Sequence, residues 1–234
     1  MTSSGRQRIA GICVLGFLAA QTFQELAYRF GLPEPSEPVG QLGVYLLPLD
    51  RARAVVVETG ILLLTVPFVV VALRYFQRRP ITSVAGLIAA GIFVLLETIH
   101  RCLDLVLIGG WARAFQTAPE LQRSQVLSRF AAWNHFSHAY YLPLLLSYFV
   151  ASCCFASTTW TDRARGSPYP LAPIAYALNA VRLLGRMLSG FAGQTWLSGL
   201  AEQLYFPAVF VVNALLAAWF FWTASREDGV RNSE

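Results

Sequence analysis

The sequence predicts an all-α polytopic transmembrane bundle of about six membrane-spanning helices, and three observations predict it. Hydrophobic residues make up 56% of the 234-residue chain and charged residues only 13%, with a mean hydropathy of +0.50. A soluble domain carries roughly 25% charged residues, so about half of the expected charge is missing. The apolar residues come in blocks of about 20, the length that crosses a roughly 30 Å hydrocarbon core at 1.5 Å per residue. The blocks are also too continuous for the alternating strands of a membrane barrel, which leaves helices to satisfy the backbone in lipid.

The predicted spans are 9–30, 53–75, 81–109, 130–156, 170–188 and 200–223, within a single transmembrane domain covering 1–234. The basic start, with Arg6 and Arg8 before the run from Ile9, has the first half of a signal peptide. It lacks a small-residue cleavage site, so it reads as the first membrane helix. Pro67, Pro143 and Pro207 fall inside spans two, four and six and predict kinks. The 31–52 connection holds a short apolar piece, Val44-Tyr-Leu-Leu, expected in the interface. The 110–129 connection holds Pro119-Glu-Leu-Gln-Arg-Ser-Gln, expected as a short amphipathic helix. Residues 157–169 read as a Ser/Thr/Arg/Pro loop, and the segment after Trp222 as a polar tail.

All 18 basic residues are arginines, which excludes lysine Schiff-base chemistry, including a lysine-bound retinal. The formal charge of +5 sits at the ends of apolar blocks, where long side chains reach headgroups, and not on one solvated face as in a nucleic-acid binder. Arginines 6, 8, 74, 78, 79, 163, 165, 226 and 231 lie on one side, and 29, 51, 53, 113, 123 and 129 on the other. This bias favours a plasma (inner) membrane protein with both termini in the cytoplasm. Cys13, Cys102, Cys153 and Cys154 all lie in apolar blocks without a CxxC pair and read as small buried hydrophobes. No nucleotide-binding glycine loop or serine elbow is present.

Folding the blocks antiparallel gathers the polar residues in one half of the membrane. Gln21, Gln24, Glu25 and Arg29 end block one, whereas Arg53 and Glu58 open block two. Glu97, His100, Arg101 and Asp104 lie late in block three, and Asn134, His135 and His138 early in block four. Asn179, Arg182 and Arg186 are late in block five, Glu202 and Gln203 early in block six, and Asn213 is the main exception in the apolar half. Ionisable groups within a membrane span cost roughly 2.5–3.5 kcal/mol each on insertion scales and are by default paired or functional. The expected result is a polar chamber beside loops 31–52, 110–129 and 188–199.

Glu97, His100, Arg101 and Asp104 occur at i, i+3, i+4 and i+7, one face of a helix. Glu97 and Arg101 form a favourably ordered i,i+4 ion pair, with Asp104 a second carboxylate for Arg101. All three histidines, His100, His135 and His138, fall in this region. Glu-x-x-His on facing helices is a common way to build a bundle metal site. Three readings stay open: a divalent metal such as zinc or iron on His100, His135 and His138; acid/base work by Glu97, His100 and Asp104; or a structural network. Arg101, Arg182 and Arg186 are the candidates for binding an anionic substrate group. Glu25 and Glu58 are second-rank candidates at the same depth. Tyr140, Tyr141, Tyr205 and tryptophans 111, 133, 160 and 196 read as interface belts.

Arg8-Ile9-Ala10-Gly11, Glu97-Thr-Ile-His100 before Gly109-Gly110, and the histidine-bearing start of block four give the chain a resemblance to the DUF4386-like group of bacterial six-helix membrane proteins of unknown function. The resemblance spans 7–225 and implies six helices and a bacterial setting, but no activity; Arg101 and Asp104 are not part of its pattern. The functional expectation is a small membrane enzyme or binding protein for a lipidic or amphiphilic molecule, with membrane lipids as partners. The alternatives are a transporter or channel component, or an accessory subunit of a membrane complex.

Overall fold

The computed structural model describes residues 2–160, 170–191 and 195–231, without the side chains of 195–198, 201, 230 and 231, and every regular element among them is a helix. Residues 161–169 with Arg163 and Arg165, residues 192–194, and the side chains of Trp196 and Arg231 lie outside this description. The first span is α1 (Ser3–Phe30), which begins ahead of the apolar block because the Thr2 side chain caps it by accepting from the Gly5 N–H.

A short α2 (Pro38–Val44) follows, then α3 (Pro48–Leu63) and α4 (Thr65–Tyr75), which share the second block. The block breaks at Leu64, whose N–H turns to the Ile61 carbonyl. Pro67 supplies the reason, since it has no N–H for the Leu63 carbonyl and its ring crowds that oxygen. Pro143 and Pro207 lie within α7 (Glu120–Thr159) and α9 (Thr195–Arg231), which are helical through both.

The third block runs on as α5 (Pro80–Leu103), a π-helical turn (Asp104–Ile108) and α6 (Gly109–Thr117). Gly109 and Gly110 are therefore helical, and the 110–129 connection narrows to a turn at Ala118-Pro119. The segment expected as a separate amphipathic helix forms the first turns of α7. That helix has 40 residues, about 60 Å at 1.5 Å per residue, twice the hydrocarbon thickness. Its projecting end is covered by α2, whose Leu42 is buried with Ile108, Ala112, Val126, Phe130 and Trp133. Tyr45 and Leu46, expected at the lipid interface, pack on this cluster instead.

Neighbouring helices close into a ring: α1 beside α9, α9 beside α8 (Leu171–Phe191), α8 beside α7, α7 beside α5, and α3/α4 between α5 and α1. Among the described residues, five helical stretches are long and apolar enough to cross a membrane: Ser3–Phe30, Pro48–Tyr75, Pro80–Thr117, Glu120–Thr159 and Glu202–Gly229. The chain is thus a multi-pass helical membrane bundle. Helix α8 has the length to cross at 21 residues, but Asn179, Arg182 and Arg186 leave it more polar than the other five. Lipid-facing residues such as Ile12, Leu62, Ile88, Leu95 and Val181 are exposed, as expected where hydrocarbon replaces water.

Toward the start of α1 and the end of α9, the middle of the ring is filled by aromatic side chains. Phe68 stacks on Phe155 at 5.8 Å, Phe155 meets Tyr176 at 5.4 Å, and Trp219 meets Phe220 at 4.8 Å. Glycines bring the helices close. A Cβ on Gly60 would lie 2.7 Å from the Ala20 Cβ, so α3 approaches α1 only because that atom is missing.

Candidate functional site

The other half of the ring encloses a cavity of about 270 Å³. Helix α1 contributes Gln21, Gln24 and Tyr28 to its wall, α5 contributes Glu97 and Arg101, and α7 contributes Tyr141 and Tyr148. Helix α8 adds Asn179, Arg182 and Arg186, and α9 adds Tyr205 and Asn213. Phe17, Ile61, Phe93, Leu144 and Leu183 supply its apolar surface. All three arginines singled out for an anionic group therefore share one cavity with Glu97.

These polar groups are held differently. Arg101 donates from Nε and Nη2 to one Glu97 oxygen at 2.9 and 2.7 Å, with both side chains nearly buried. Asp104, the expected second carboxylate for Arg101, instead faces His100. Arg182 is oriented by a neutral partner: its Nε and Nη2 donate to Asn179 Oδ1 at 3.2 and 3.0 Å, while Asn179 Nδ2 donates to Ser152 Oγ at 2.8 Å. The Arg182 guanidinium also lies 5.1 Å from the Tyr205 ring centroid, with Arg186 at 6.0 Å from the same ring. Among the described residues no carboxylate pairs with Arg182 or Arg186. A half-buried Arg182 fixed by an amide and an aromatic face keeps its charge available to a ligand.

Tyr141 and Tyr205, expected in an interface belt, thus belong to the cavity. The sequence carried a usable signal, because Tyr205 follows Glu202 and Gln203 in the polar half of its block. Tyr140 turns to α5, its hydroxyl donating to the Leu96 carbonyl at 2.9 Å, and Trp133 is buried against His100. Trp160 is exposed, as a belt residue would be.

His100 and Asp104 do not line the cavity. His100 is buried, sits between the Trp133 and Tyr140 rings, and bonds Ser137 Oγ through Nε2 at 2.7 Å. Its Nδ1 is 3.6 Å from Asp104 Oδ2, beyond hydrogen-bond distance, and has no other partner. Ser137, which the sequence did not single out, bonds the His100 imidazole and so joins α7 to α5.

The metal reading does not carry over to this geometry. Among the described residues no three His, Cys, Asp or Glu side chains are placed to hold a metal ion. With Ser137 turned to His100, His135 and His138 fall elsewhere around the helix, since each residue advances 100°. Both are exposed, His138 against the Phe191 ring at 4.9 Å.

The second-rank carboxylates also separate. Glu25 pairs with Arg29 at 2.6 Å, whereas both Glu58 oxygens are buried without a partner. Arg53 is buried on Asp50 at 2.7 Å and lies over the Tyr28 ring at 4.7 Å. Of the cysteines, Cys13 is buried, but Cys102 and Cys153 are exposed on helix faces and Cys154 is half-buried, unlike the expected buried set.

Comparison with known proteins finds no matching family model, no matching curated protein and no matching solved structure.

Proposed function

We propose that this protein binds an amphiphilic molecule with an anionic head in the cavity of the helix ring. The observation that carries the proposal is Arg182, held in place by Asn179 and Tyr205 with no carboxylate among the described residues to neutralise it, on a wall that also holds Arg186, the Glu97–Arg101 pair, tyrosines, amides and apolar side chains. An anion there would gain charge-assisted hydrogen bonds that water in a narrow cavity supplies poorly. Phe17, Ile61, Phe93 and Leu144 offer surface for a short apolar segment. The wall is better suited to holding a charge than to moving a proton, because its carboxylate, Glu97, is committed to Arg101. Binding is therefore favoured over catalysis by Glu97, His100 and Asp104. The aromatic packing of the opposite half closes the cavity on that side, which disfavours an open channel. The Arg distribution and the resemblance to a bacterial six-helix group support a plasma-membrane setting with both termini in the cytoplasm.

The test is binding of oleate and of uncharged monooleoylglycerol to the detergent-purified protein, followed by intrinsic tryptophan fluorescence. The two share an apolar chain and differ in the head. One charge-assisted hydrogen bond is worth about 1.5–3 kcal/mol, so oleate should bind at least about tenfold more tightly, and Arg182→Gln should erase the difference. Equal affinity for the two ligands would refute the proposal.

A further inference from the structure

A second cavity, of about 470 Å³, lies at the opposite end of the bundle, where α1 begins and α4 and α9 end. Ser3, Arg6 and Gln7 of α1, Arg74 of α4 with Gln77 and Arg78 just beyond it, and Glu227 of α9 line it, with Leu73 and Phe76 on its apolar side. Two acceptors here are orphaned. Gln7 is only 2% exposed, yet its Oε1 has no hydrogen-bond partner. Glu227 Oε1 takes Arg74 Nη1 at 2.5 Å, but its Oε2 is buried and unpartnered. A buried carboxylate oxygen and a buried amide oxygen without donors each carry a desolvation cost that a donor removes. Arg6, on the same wall, has no carboxylate partner among the described residues. The cavity therefore wants an N–H-bearing cation on one side and an anion on the other.

The surroundings reinforce this division. The N-terminal turn of α1, with its outward N–H groups and partial positive charge, is on the Arg6 side, and the partially negative C-terminal turn of α4 reaches the same space. Leu73 and Phe76 are 57% and 51% exposed at the rim, a surface on which acyl chains would lie. Arg8 and Asp228, paired at 2.6 Å, tie α1 to α9 beside the cavity.

We infer that this cavity binds a phosphate ester carrying a primary ammonium group, as in the headgroup of an aminophospholipid. The ammonium donates to Gln7 Oε1 and Glu227 Oε2, and the phosphate faces Arg6 and the start of α1. A trimethylammonium head has no N–H to donate to the two orphaned oxygens, and a glycerol head lacks the cation.

The experiment is native mass spectrometry of the detergent-purified full chain titrated with phosphatidylethanolamine, phosphatidylcholine or phosphatidylglycerol of identical acyl chains. Phosphatidylethanolamine should bind at least about tenfold more tightly than phosphatidylcholine, the worth of one to two additional charge-assisted bonds. Gln7→Leu should remove most of that preference. Because Gln7 is buried, Arg6→Gln, at an exposed position, serves as a second variant and should weaken phosphatidylethanolamine binding in a protein whose unfolding is unchanged. Arg182→Gln, in the other cavity, should have no effect on it. Displacement of the lipid by millimolar soluble phosphoethanolamine would support the site and assign it to a soluble ligand; resistance would assign it to the lipid. Equal binding of the three lipids, or a preference untouched by both variants, would overturn the inference and leave the cavity to water.

Discussion

Removing the Glu97 carboxylate by Glu97→Gln strands Arg101 in the wall of the helix ring. The pair is 2.7 Å apart, with side-chain exposures of 12% for Arg101 and 7% for Glu97. At an effective dielectric constant of about 20, two unit charges at that distance attract by about 6 kcal/mol, part of which offsets their desolvation. Breaking a buried pair by deleting one partner typically costs about 3–5 kcal/mol, whereas replacing both partners with apolar residues of similar volume is often close to neutral. Glu97→Gln should therefore destabilise the folded protein by about 3–5 kcal/mol, and Glu97→Leu/Arg101→Met by about 1 kcal/mol or less. The two single variants should also differ. A guanidinium keeps its proton, so stranded Arg101 remains charged, while a stranded Glu97 can take up a proton; Arg101→Gln should be the milder change. Unfolding free energies in mixed micelles of increasing sodium dodecyl sulfate fraction would measure all of these. If Glu97→Gln cost less than about 1 kcal/mol, or the double variant cost the sum of the singles, the pair would not be the buried ion pair described here.

The histidines should separate in the same assay. His100→Ala and Ser137→Ala each remove the interhelical bond and should cost about 1–2 kcal/mol without adding, whereas His135→Ala, at an exposed position, should stay within about 0.5 kcal/mol. Elemental analysis of the purified protein checks the same geometry from another side: a stoichiometric metal lost in a His100/His135/His138 triple-alanine variant would contradict the separation of the three histidines. Gly60→Val, which places atoms where the Ala20 Cβ stands 2.7 Å away, should destabilise the bundle by about 1–3 kcal/mol and weaken oleate binding by shifting α1 against α3.

The depth of the polar residues could be read without coordinates, because antiparallel helices of known length place late residues of odd spans beside early residues of even ones. That logic brought Gln21, Gln24, Glu97, Arg101, Arg182 and Arg186 to one level, where they line one cavity. It could not assign them to faces. Glu97 and Arg101 open on the cavity, while His100, one residue before Arg101, turns to α7, a matter of helix rotation that spacing within one helix leaves open. Ser137 is not legible in the sequence for the same reason: a hydroxyl between two histidines has no distinguishing pattern until the partner helix is known.

Composition and block length alone determined that this chain is a multi-pass helical membrane protein, because in lipid the backbone must satisfy itself and only long apolar helices do so at this length. They also determined which half of the bundle is polar, since depth follows from distance along a helix. The tertiary structure decided which polar groups meet. It paired Glu97 with Arg101, left Arg182 with neutral partners, sent His135 and His138 away from His100, and opened a second cavity at Gln7 and Glu227. Those outcomes depend on helix rotation and neighbour order, which are set by the packing of small and aromatic side chains between helices and leave no periodic trace in the sequence.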